Sequence, residues 1–284
     1  MESVKQFATD FFANHPTKKV VIGEDNFDYL VGGSGETVIL VFPGAGQDAY
    51  SCWDLIDYYE KKYKVIAVNY SGLSSLEQFF RYVNKILLVE GAKKVILYGL
   101  SLGGYLAQAY IRKPNNVDKI VLSHTGSIKS KEMKRVKRIS KVLHAFLPVL
   151  PIGAFAEKVS RKIAGKVQSG KSDIVGLYRK YGTENNLEKR RMFGEKLKSP
   201  LFDKAYLRSI YRLGMDTVKD ELGWRSLDRK NILVIRSDND PLAQDAGAFK
   251  AYYPNAKVYT FKETGHLTPF IQFETMVKVI DKFL

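Results

Sequence analysis

The sequence predicts an α/β protein with a doubly wound, mostly parallel sheet and an inserted helical cap. Three observations predict this fold class. Short apolar runs rich in β-branched residues recur along the chain, helix-like segments separate them, and the alternation stops between about residues 127 and 222. Runs that are apolar throughout are typical of strands buried on both faces, as in parallel sheets. The 284 residues are enough for one large domain with an insertion, or for two small domains.

Eight runs are predicted to be strands. Residues 19–22 and 26–31 flank the turn-forming sequence Gly-Glu-Asp-Asn, which predicts an antiparallel hairpin at one edge of the sheet. The other six runs are residues 38–42, 64–69, 94–99, 119–123, 231–236 and 257–261. Helices are predicted at the N-terminus and for residues 52–62, 75–90, 104–113, 241–252 and 268–284.

The predicted core comprises residues 1–126 and 223–284, and the predicted cap is residues 127–222. The cap has helical periodicity and lies between two sheet strands, so we expect it over the carboxyl ends of the strands, where ligands bind in open α/β sheets. The chain carries a net charge of +15, and nearly all of it lies in residues 129–198, which contain 19 basic and 6 acidic residues. The cap is therefore predicted to be strongly basic.

Two amphipathic helices are predicted within the cap. Their apolar stripes are Met133, Val136, Ile139, Leu143, Phe146 and Leu147, followed by Phe155, Val159, Ile163 and Val167. We expect these stripes to line a pocket. The basic faces are interpreted either as solvated surface or as a site for an anionic membrane surface, an acidic carrier or an anionic substrate. No specific nucleic-acid motif accompanies them.

Several classes of protein are not expected. No apolar run reaches the roughly 18 residues that a membrane-spanning helix needs, and the N-terminal segment lacks the apolar region of a signal peptide. The single cysteine, Cys52, excludes an intramolecular disulfide and a cysteine zinc cluster. We expect a cytoplasmic protein with neither a metal nor a cofactor.

A nucleophile is predicted at the turn that follows the strand at residues 94–99. The segment reads Gly99-Leu-Ser101-Leu-Gly103, a G-x-S-x-G pattern between a strand and a helix. Such a turn is so tight that the serine takes strained backbone angles and its Oγ projects from the sheet, while the two glycines avoid clashes with the neighbouring strand and helix. The alternative interpretation is a glycine-rich turn with a spectator serine.

A base is predicted among the four histidines. His266 follows the last strand, in a turn before the final helix, so it can reach across the strand ends to Ser101. His124 also leaves a strand at its carboxyl end and is a candidate for lining the pocket. We interpret His15 and His144 as surface or core residues.

The acid that orients the histidine is predicted just after the strand at residues 231–236. Asp240 is favoured because it precedes Pro241, which would open a following helix. Asp238 remains the alternative, since an aspartate in a turn often caps backbone amides.

An oxyanion hole is predicted from two backbone amides. The strand at residues 38–42 ends in Pro43-Gly-Ala-Gly, a turn in which the Ala45 N–H can point at a substrate oxygen, and Leu102 supplies the second N–H. The alternative is a plain strand-to-loop turn. A phosphate-binding loop is disfavoured because both the dinucleotide spacing and the Walker lysine are missing.

Four segments together resemble the α/β-hydrolase superfamily in its order Ser, Asp, His: VFPGAG, LYGLSLGGYLAQ, SDNDPL and ETGHLTPF. The resemblance covers roughly residues 19–128 and 225–284. Within the superfamily, the segment VIAVNYSGLSSLEQF is similar to the maspardin branch, whose relatives are described mainly as binding partners. Pro43 replaces the histidine common before the oxyanion glycine, and the D-x-x-G-x-G-x-S loop is missing after Asn69.

The resemblance implies an α/β-hydrolase fold and an acyl hydrolase in which Ser101 attacks a carboxylic ester or thioester, His266 is the base and Asp240 orients it. The same residues would serve acyl transfer. Epoxide hydrolases and dehalogenases resemble this arrangement but need an aspartate at the elbow. The other hypothesis is a non-catalytic binding or adaptor protein on the same scaffold, since a fold does not fix a function.

Overall fold

A computed structural model of the chain describes residues 2–113, 115–128, 174–196, 203–219, 231–240 and 246–284. These residues contain one eight-stranded sheet. Its strands are β1 (Lys18–Ile22), β2 (Asp25–Gly32), β3 (Thr37–Phe42), β4 (Lys64–Val68), β5 (Lys94–Leu100), β6 (Val117–Ser123), β7 (Asn231–Ser237) and β8 (Lys257–Phe261). Their order across the sheet is β1-β2-β4-β3-β5-β6-β7-β8.

Only β2 runs against both of its neighbours, β1 and β4. β1 and β2 form an antiparallel hairpin, and β2 also pairs antiparallel with β4. The strands β4, β3, β5, β6, β7 and β8 are all parallel to one another. The predicted doubly wound, mostly parallel sheet and its edge hairpin are therefore confirmed. The parallel strands all have their carboxyl ends on the same side of the sheet. The turns after β3, β5, β6, β7 and β8 therefore lie close together there.

The described α-helices number ten, and two short 3-10 helices accompany them at Ala49–Cys52 and Gly265–Leu267. The α-helices are α1 (Glu2–Asn14), α2 (Trp53–Tyr59), α3 (Leu76–Val89), α4 (Leu102–Tyr110), α5 (Ile174–Tyr181), α6 (Glu184–Lys196), α7 (Lys204–Lys219), α8 (Ala246–Tyr252), α9 (Thr268–Ile271) and α10 (Phe273–Asp281). None of these helices has the length and apolar composition that a membrane crossing requires.

One predicted helix is wrong in its extent. The single helix expected over 268–284 is two helices, because Gln272 leaves the helical region with φ −113° and ψ 37°. Its side-chain amide donates to Thr264 Oγ1 at 3.0 Å and to the Lys262 carbonyl at 3.4 Å. The break therefore ties α9 back to the turn that follows β8.

The core has two apolar layers, one on each face of the sheet. Along β3, Val38 and Leu40 belong to one layer, whereas Ile39 and Val41 belong to the other, as the two-residue period of a strand requires. Helices α3 and α4 cover the first layer, and α1, α2 and α10 cover the second. Burial on both faces explains why these strands are apolar throughout.

The predicted cap is described only in part. Within residues 174–196 and 203–219 it is helical and contains no strand. The two stripes expected between Met133 and Val167 lie outside the described residues, as do His144 and the expected boundary at residues 222 and 223. The division into core and cap thus stays a prediction, and the helices α5 to α7 are called the insertion helices below.

Candidate active site

The turn between β5 and α4 is strained at Ser101, the predicted nucleophile. Ser101 has φ 51° and ψ −113°, a backbone conformation that non-glycine residues rarely adopt. A Cβ on Gly99 would lie 2.6 Å from the Gly103 carbonyl oxygen, and one on Gly103 would clash with the Phe42 carbonyl. Both elbow glycines are therefore required by close backbone approach, for the reason that the sequence pattern predicts.

The structure brings Ser101, His266 and Asp240 into one hydrogen-bonded chain. His266 Nε2 lies 3.0 Å from Ser101 Oγ, and its Nδ1 lies 2.9 Å and 3.1 Å from the two Asp240 oxygens. Because a carboxylate can only accept, Nδ1 carries the proton, and Nε2 has a lone pair to receive the Ser101 hydroxyl. Asp240 is fully buried, whereas Ser101 and His266 remain partly exposed.

The alternative acid, Asp238, does not reach the histidine. It is exposed, and its Oδ1 accepts the Glu263 N–H at 3.0 Å. Beside it, the Asn239 side chain donates to the Glu263 carbonyl at 2.8 Å and accepts the Gly265 N–H at 2.8 Å. These residues bind the turn after β7 to the turn that carries His266, so Asp238 caps backbone amides.

His124 lies at the end of β6, beside the histidine of the site. Its ring centroid is 6.3 Å from that of His266, in an edge-to-face arrangement. The residue is completely buried, its Nδ1 lies 3.0 Å from Ser123 Oγ, and its Nε2 has no hydrogen-bond partner in the described part of the chain. Burial lowers the pKa of His124 to about 3, so it is neutral at working pH and unsuited to serve as the base.

Strained backbone conformations occur in the turns at the carboxyl ends of the strands. Three non-glycine residues in the described ranges have positive φ, namely Ser101, His124 and Glu263. All three lie in turns at the carboxyl ends of parallel strands, around the hydrogen-bonded chain. Each such residue costs about 1–3 kcal/mol, and strain of this kind clusters at functional sites.

In the loop after β3, residues 43–47, one amide has no acceptor among the described residues. This loop is called the oxyanion loop below. The Gly44 N–H donates to Gln47 Oε1 at 2.8 Å, and the Gly46 N–H donates to the Tyr206 hydroxyl at 2.8 Å. Between them, the exposed Ala45 has an N–H with no acceptor among the described residues. A Cβ on Gly44 would lie 3.5 Å from Ser101 Cβ, so the loop runs beside the nucleophile.

A turn shapes the oxyanion loop. The Gln47 N–H donates to the Gly44 carbonyl at 3.2 Å, and Gly46 has φ 84°, as the third residue of a type II turn requires. Tyr70 donates its hydroxyl to the Pro43 carbonyl at 2.8 Å. Leu102, the second predicted donor, opens α4, where the N–H groups of a first helical turn lack intrahelical acceptors.

The insertion helices contact the turns of the site directly. Tyr206 on α7 binds the oxyanion loop, and Lys180 and Tyr181 at the end of α5 both bind the carboxylate of Glu263. On α6, Arg190 pairs with the buried Asp54 and donates to the Phe270 carbonyl at 3.2 Å.

Sequence reasoning missed all of these contacts. No spacing links Tyr206 to a loop about 160 residues earlier. The one available signal was the polar turn that contains Glu263, three residues before His266.

A small, mostly apolar cavity lies on the α2 side of the nucleophile. Its walls include Pro43 of the oxyanion loop, Leu100 directly before Ser101, and Phe270 and Met276 from the segment after His266. The cavity thus adjoins both the loop and the elbow.

Comparison with known proteins agrees with this architecture. Residues 37–272 match the family model described as the alpha/beta hydrolase fold. No curated protein sequence matches the chain. Among solved structures, an esterase from Thermogutta terrifontis is similar, with a TM-score of 0.62 and 17% identity over 94% of this chain and 97% of that chain.

Two further structures are similar over nearly their whole length. For MenH from S. aureus the TM-score is 0.63 and the identity 16%, covering 90% of this chain and 97% of that chain. For a bromoperoxidase from Bacillus anthracis the TM-score is 0.62 and the identity 15%, covering 94% of this chain and 99% of that chain. At such identities the likeness shows a shared fold.

Proposed function

The chain belongs to the alpha/beta hydrolase fold family, and from that premise we propose that it is a serine hydrolase that cleaves a carboxylic ester or thioester. Family membership supports hydrolase activity in general. The proposal adds the class of bond that is cleaved and the identity of Ser101 as the nucleophile. One observation supports both. Asp240, His266 and Ser101 form an unbroken hydrogen-bonded chain, with 2.9 Å and 3.0 Å between the bonded atoms, at a strained elbow.

In the proposed acylation, Ser101 Oγ attacks the carbonyl carbon while His266 Nε2 takes the hydroxyl proton. Asp240 holds the Nδ1–H tautomer and stabilises the imidazolium that forms. The amides of Ala45 and Leu102 donate to the oxyanion, and each donor of this type is typically worth about 3 kcal/mol. The imidazolium then protonates the leaving oxygen or sulfur, which leaves an acyl ester on Ser101.

Deacylation reverses these roles. Water attacks the acyl carbon as His266 Nε2 removes one of its protons, the same two amides hold the second oxyanion, and the acid departs as Ser101 Oγ regains its proton from His266.

Replacement of the nucleophile tests this proposal. Ser101→Ala should lower kcat/KM for p-nitrophenyl esters at least about a thousandfold, because the covalent route is lost, while the melting temperature stays close to that of the wild type. The matched control is Ser34→Ala, at an exposed serine in the turn before β3, at the opposite edge of the sheet. A Ser101→Ala protein with full activity would show that the elbow interpretation is wrong.

The substrate class follows from a panel of esters and thioesters. Acyl chains from acetyl to palmitoyl, each as a neutral ester and as an acyl-CoA, separate chain length from charge. We propose that the basic segment 129–198 favours an anionic carrier, substrate or membrane surface. Turnover of the acyl-CoA should then fall with added salt more steeply than turnover of the neutral ester. Equal salt dependence would contradict an anionic substrate or carrier.

A membrane partner needs its own measurement. Sedimentation with anionic and with neutral vesicles, at low and raised salt, should show salt-sensitive binding to the anionic vesicles alone. Equal binding to both kinds of vesicle, or binding to neither, would contradict the membrane version.

The other candidate is a binding or adaptor protein on the same scaffold. The maspardin resemblance after β4 favours it and stays a prediction, because the matched family model describes the superfamily as a whole. A fluorophosphonate probe discriminates the two. A serine hydrolase should be labelled once, at Ser101, whereas a folded protein without labelling would favour the adaptor.

A further inference from the structure

We infer that Tyr206, on the insertion helix α7, is a positioning residue that holds the oxyanion loop in the geometry needed for hydrolysis. The inference rests on the proposed function and deepens it. It assigns part of the insertion to transition-state stabilisation, a role that a simple cover over the site would not have.

The Tyr206 hydroxyl makes two hydrogen bonds to the oxyanion loop. It accepts the Gly46 N–H at 2.8 Å and donates to the Gln47 carbonyl at 3.0 Å. The side chain is 2% exposed, and its burial raises the pKa of Tyr206, so the hydroxyl keeps the proton that it donates. One oxygen thus binds backbone groups of two consecutive residues of the loop.

This double contact helps to set the direction of the Ala45 N–H through the turn. The peptide unit that carries this N–H lies between two units whose own N–H groups are fixed, that of Gly44 by the Gln47 side chain and that of Gly46 by Tyr206. Within this planar unit the Ala45 N–H points opposite to the Gly44 carbonyl, which accepts the Gln47 N–H at 3.2 Å, so the turn that Tyr206 supports sets its direction. Oxyanion donors act only when they lie about 2.7–3.1 Å from the developing charge, so this restriction bears on catalysis.

Helix α7 is itself fixed to the core, which makes Tyr206 a firm support. Asp216 accepts the Leu76 N–H at 3.1 Å at the start of α3, and Asp203 accepts the Ser71 hydroxyl at 3.0 Å. Leu213 on the same helix is completely buried. A chain of contacts therefore runs from α3 through α7 to the oxyanion loop.

The other support of the loop cannot replace this one. Tyr70 binds the Pro43 carbonyl, at the beginning of the loop and before the Ala45 amide. Without the Tyr206 hydroxyl, the Gly46 N–H and the Gln47 carbonyl would each lose a partner and could turn toward water. We expect loss of the hydroxyl to weaken stabilisation of the transition state and to leave substrate binding unchanged, because Tyr206 reaches the reaction only through the loop.

The test is Tyr206→Phe, which removes the hydroxyl and keeps the ring. Its matched control is Tyr110→Phe, because Tyr110 is also 2% exposed and donates its hydroxyl to Asn84 Oδ1 at 2.7 Å, away from the loop. Three quantities are measured on each full-length variant: kcat, KM, and the Ki of a trifluoromethyl ketone, which forms a tetrahedral oxyanion adduct with the serine.

For Tyr206→Phe, kcat should fall about tenfold or more with KM within about twofold, and the Ki of the ketone should rise by the factor that kcat/KM falls. Tyr110→Phe should change all three by less than about twofold. Unchanged kcat in a folded Tyr206→Phe protein would overturn the inference alone, as would a loss in KM only. A wild-type protein with neither turnover nor phosphonate labelling would overturn the proposed function, and the inference with it.

Discussion

The nucleophile elbow and the oxyanion loop lie side by side, yet the chain holds them in different ways. Ser101 is fixed by its own neighbourhood: the flanking glycines permit close backbone contact, and its N–H donates to the Ser123 carbonyl of the adjacent strand at 3.0 Å. The oxyanion loop is fixed by the hydroxyls of Tyr70 and Tyr206, one in the core and one on an insertion helix. The elbow is therefore held by backbone contacts with neighbouring strands, whereas the oxyanion loop depends on two tyrosine side chains.

The turn that carries His266 combines both kinds of support. Asp238 and Asn239, in the turn after β7, bind the backbone of the His266 turn. An insertion helix binds the same turn from outside, through Lys180 and Tyr181 on the Glu263 side chain. We therefore expect changes in Ser101, His266 or Asp240 to abolish the chemistry, and changes in the insertion contacts to reduce its rate by degrees.

The largest contrast is expected between two neighbours in one core turn. Asp240→Asn should lower kcat on an activated ester about a thousandfold to ten-thousandfold, because the amide can stabilise the wrong imidazole tautomer and cannot offset the imidazolium charge. Asp238→Asn should stay within about threefold of the wild type, since the new amide oxygen can still accept the Glu263 N–H. Steady-state kinetics on the two purified variants measures both.

The same two variants also test which aspartate is the acid. A greater loss in Asp238→Asn than in Asp240→Asn, with both proteins folded, would transfer the role of the acid to Asp238. Comparable small losses in both would mean that His266 does not depend on a carboxylate.

The fold was predictable because its signals are local. Strands buried on both faces must be apolar throughout, and each parallel strand needs a connection long enough for a helix, so strand and helix segments alternate along the sequence. The break at Gln272 was not predictable in this way. It depends on hydrogen bonds to Thr264 and to the Lys262 carbonyl, which form only when α9 packs against the preceding turn.

The site was predictable where chemistry restricts the residue type. Only glycine fits two positions to either side of Ser101, and the histidine and carboxylate of the hydrogen-bonded chain lie in turns at strand ends, where the sequence pattern predicts them. Tyr206 could not be found from the sequence because any residue with a suitable hydroxyl could support a loop backbone. Its role depends on where the insertion helix α7 packs.

His124 provides a smaller effect, on stability and not on chemistry. Its folded-state pKa of about 3 lies below the value of about 6.5 in an unfolded chain, so the unfolded state takes up the proton first as the pH falls. The free energy of unfolding should therefore decrease from pH 6.5 toward pH 3, by up to about 1.4 kcal/mol per pH unit from this group. Urea unfolding at several pH values measures it.

The comparison variant is His124→Asn, because asparagine tolerates the positive φ of 46° at this position. Its free energy of unfolding should depend less steeply on pH between 6.5 and 5, where few carboxylates titrate. Parallel curves for the two proteins in that interval would show that His124 is not held neutral by burial.

The smallest effect is expected from the exposed contact between the insertion and the His266 turn. Lys180 Nζ donates to Glu263 Oε2 at 2.7 Å, and this bond, with that from Tyr181, holds the pKa of the Glu263 carboxyl below its usual value. Both charged side chains are exposed, so water and salt screen the pair. Lys180→Met should therefore lower kcat/KM by less than about threefold, and 0.5 M salt should erase the difference from the wild type. A tenfold, salt-independent loss would mean that the insertion supports the His266 turn as firmly as the core does, and the contrast between the two regions would fail.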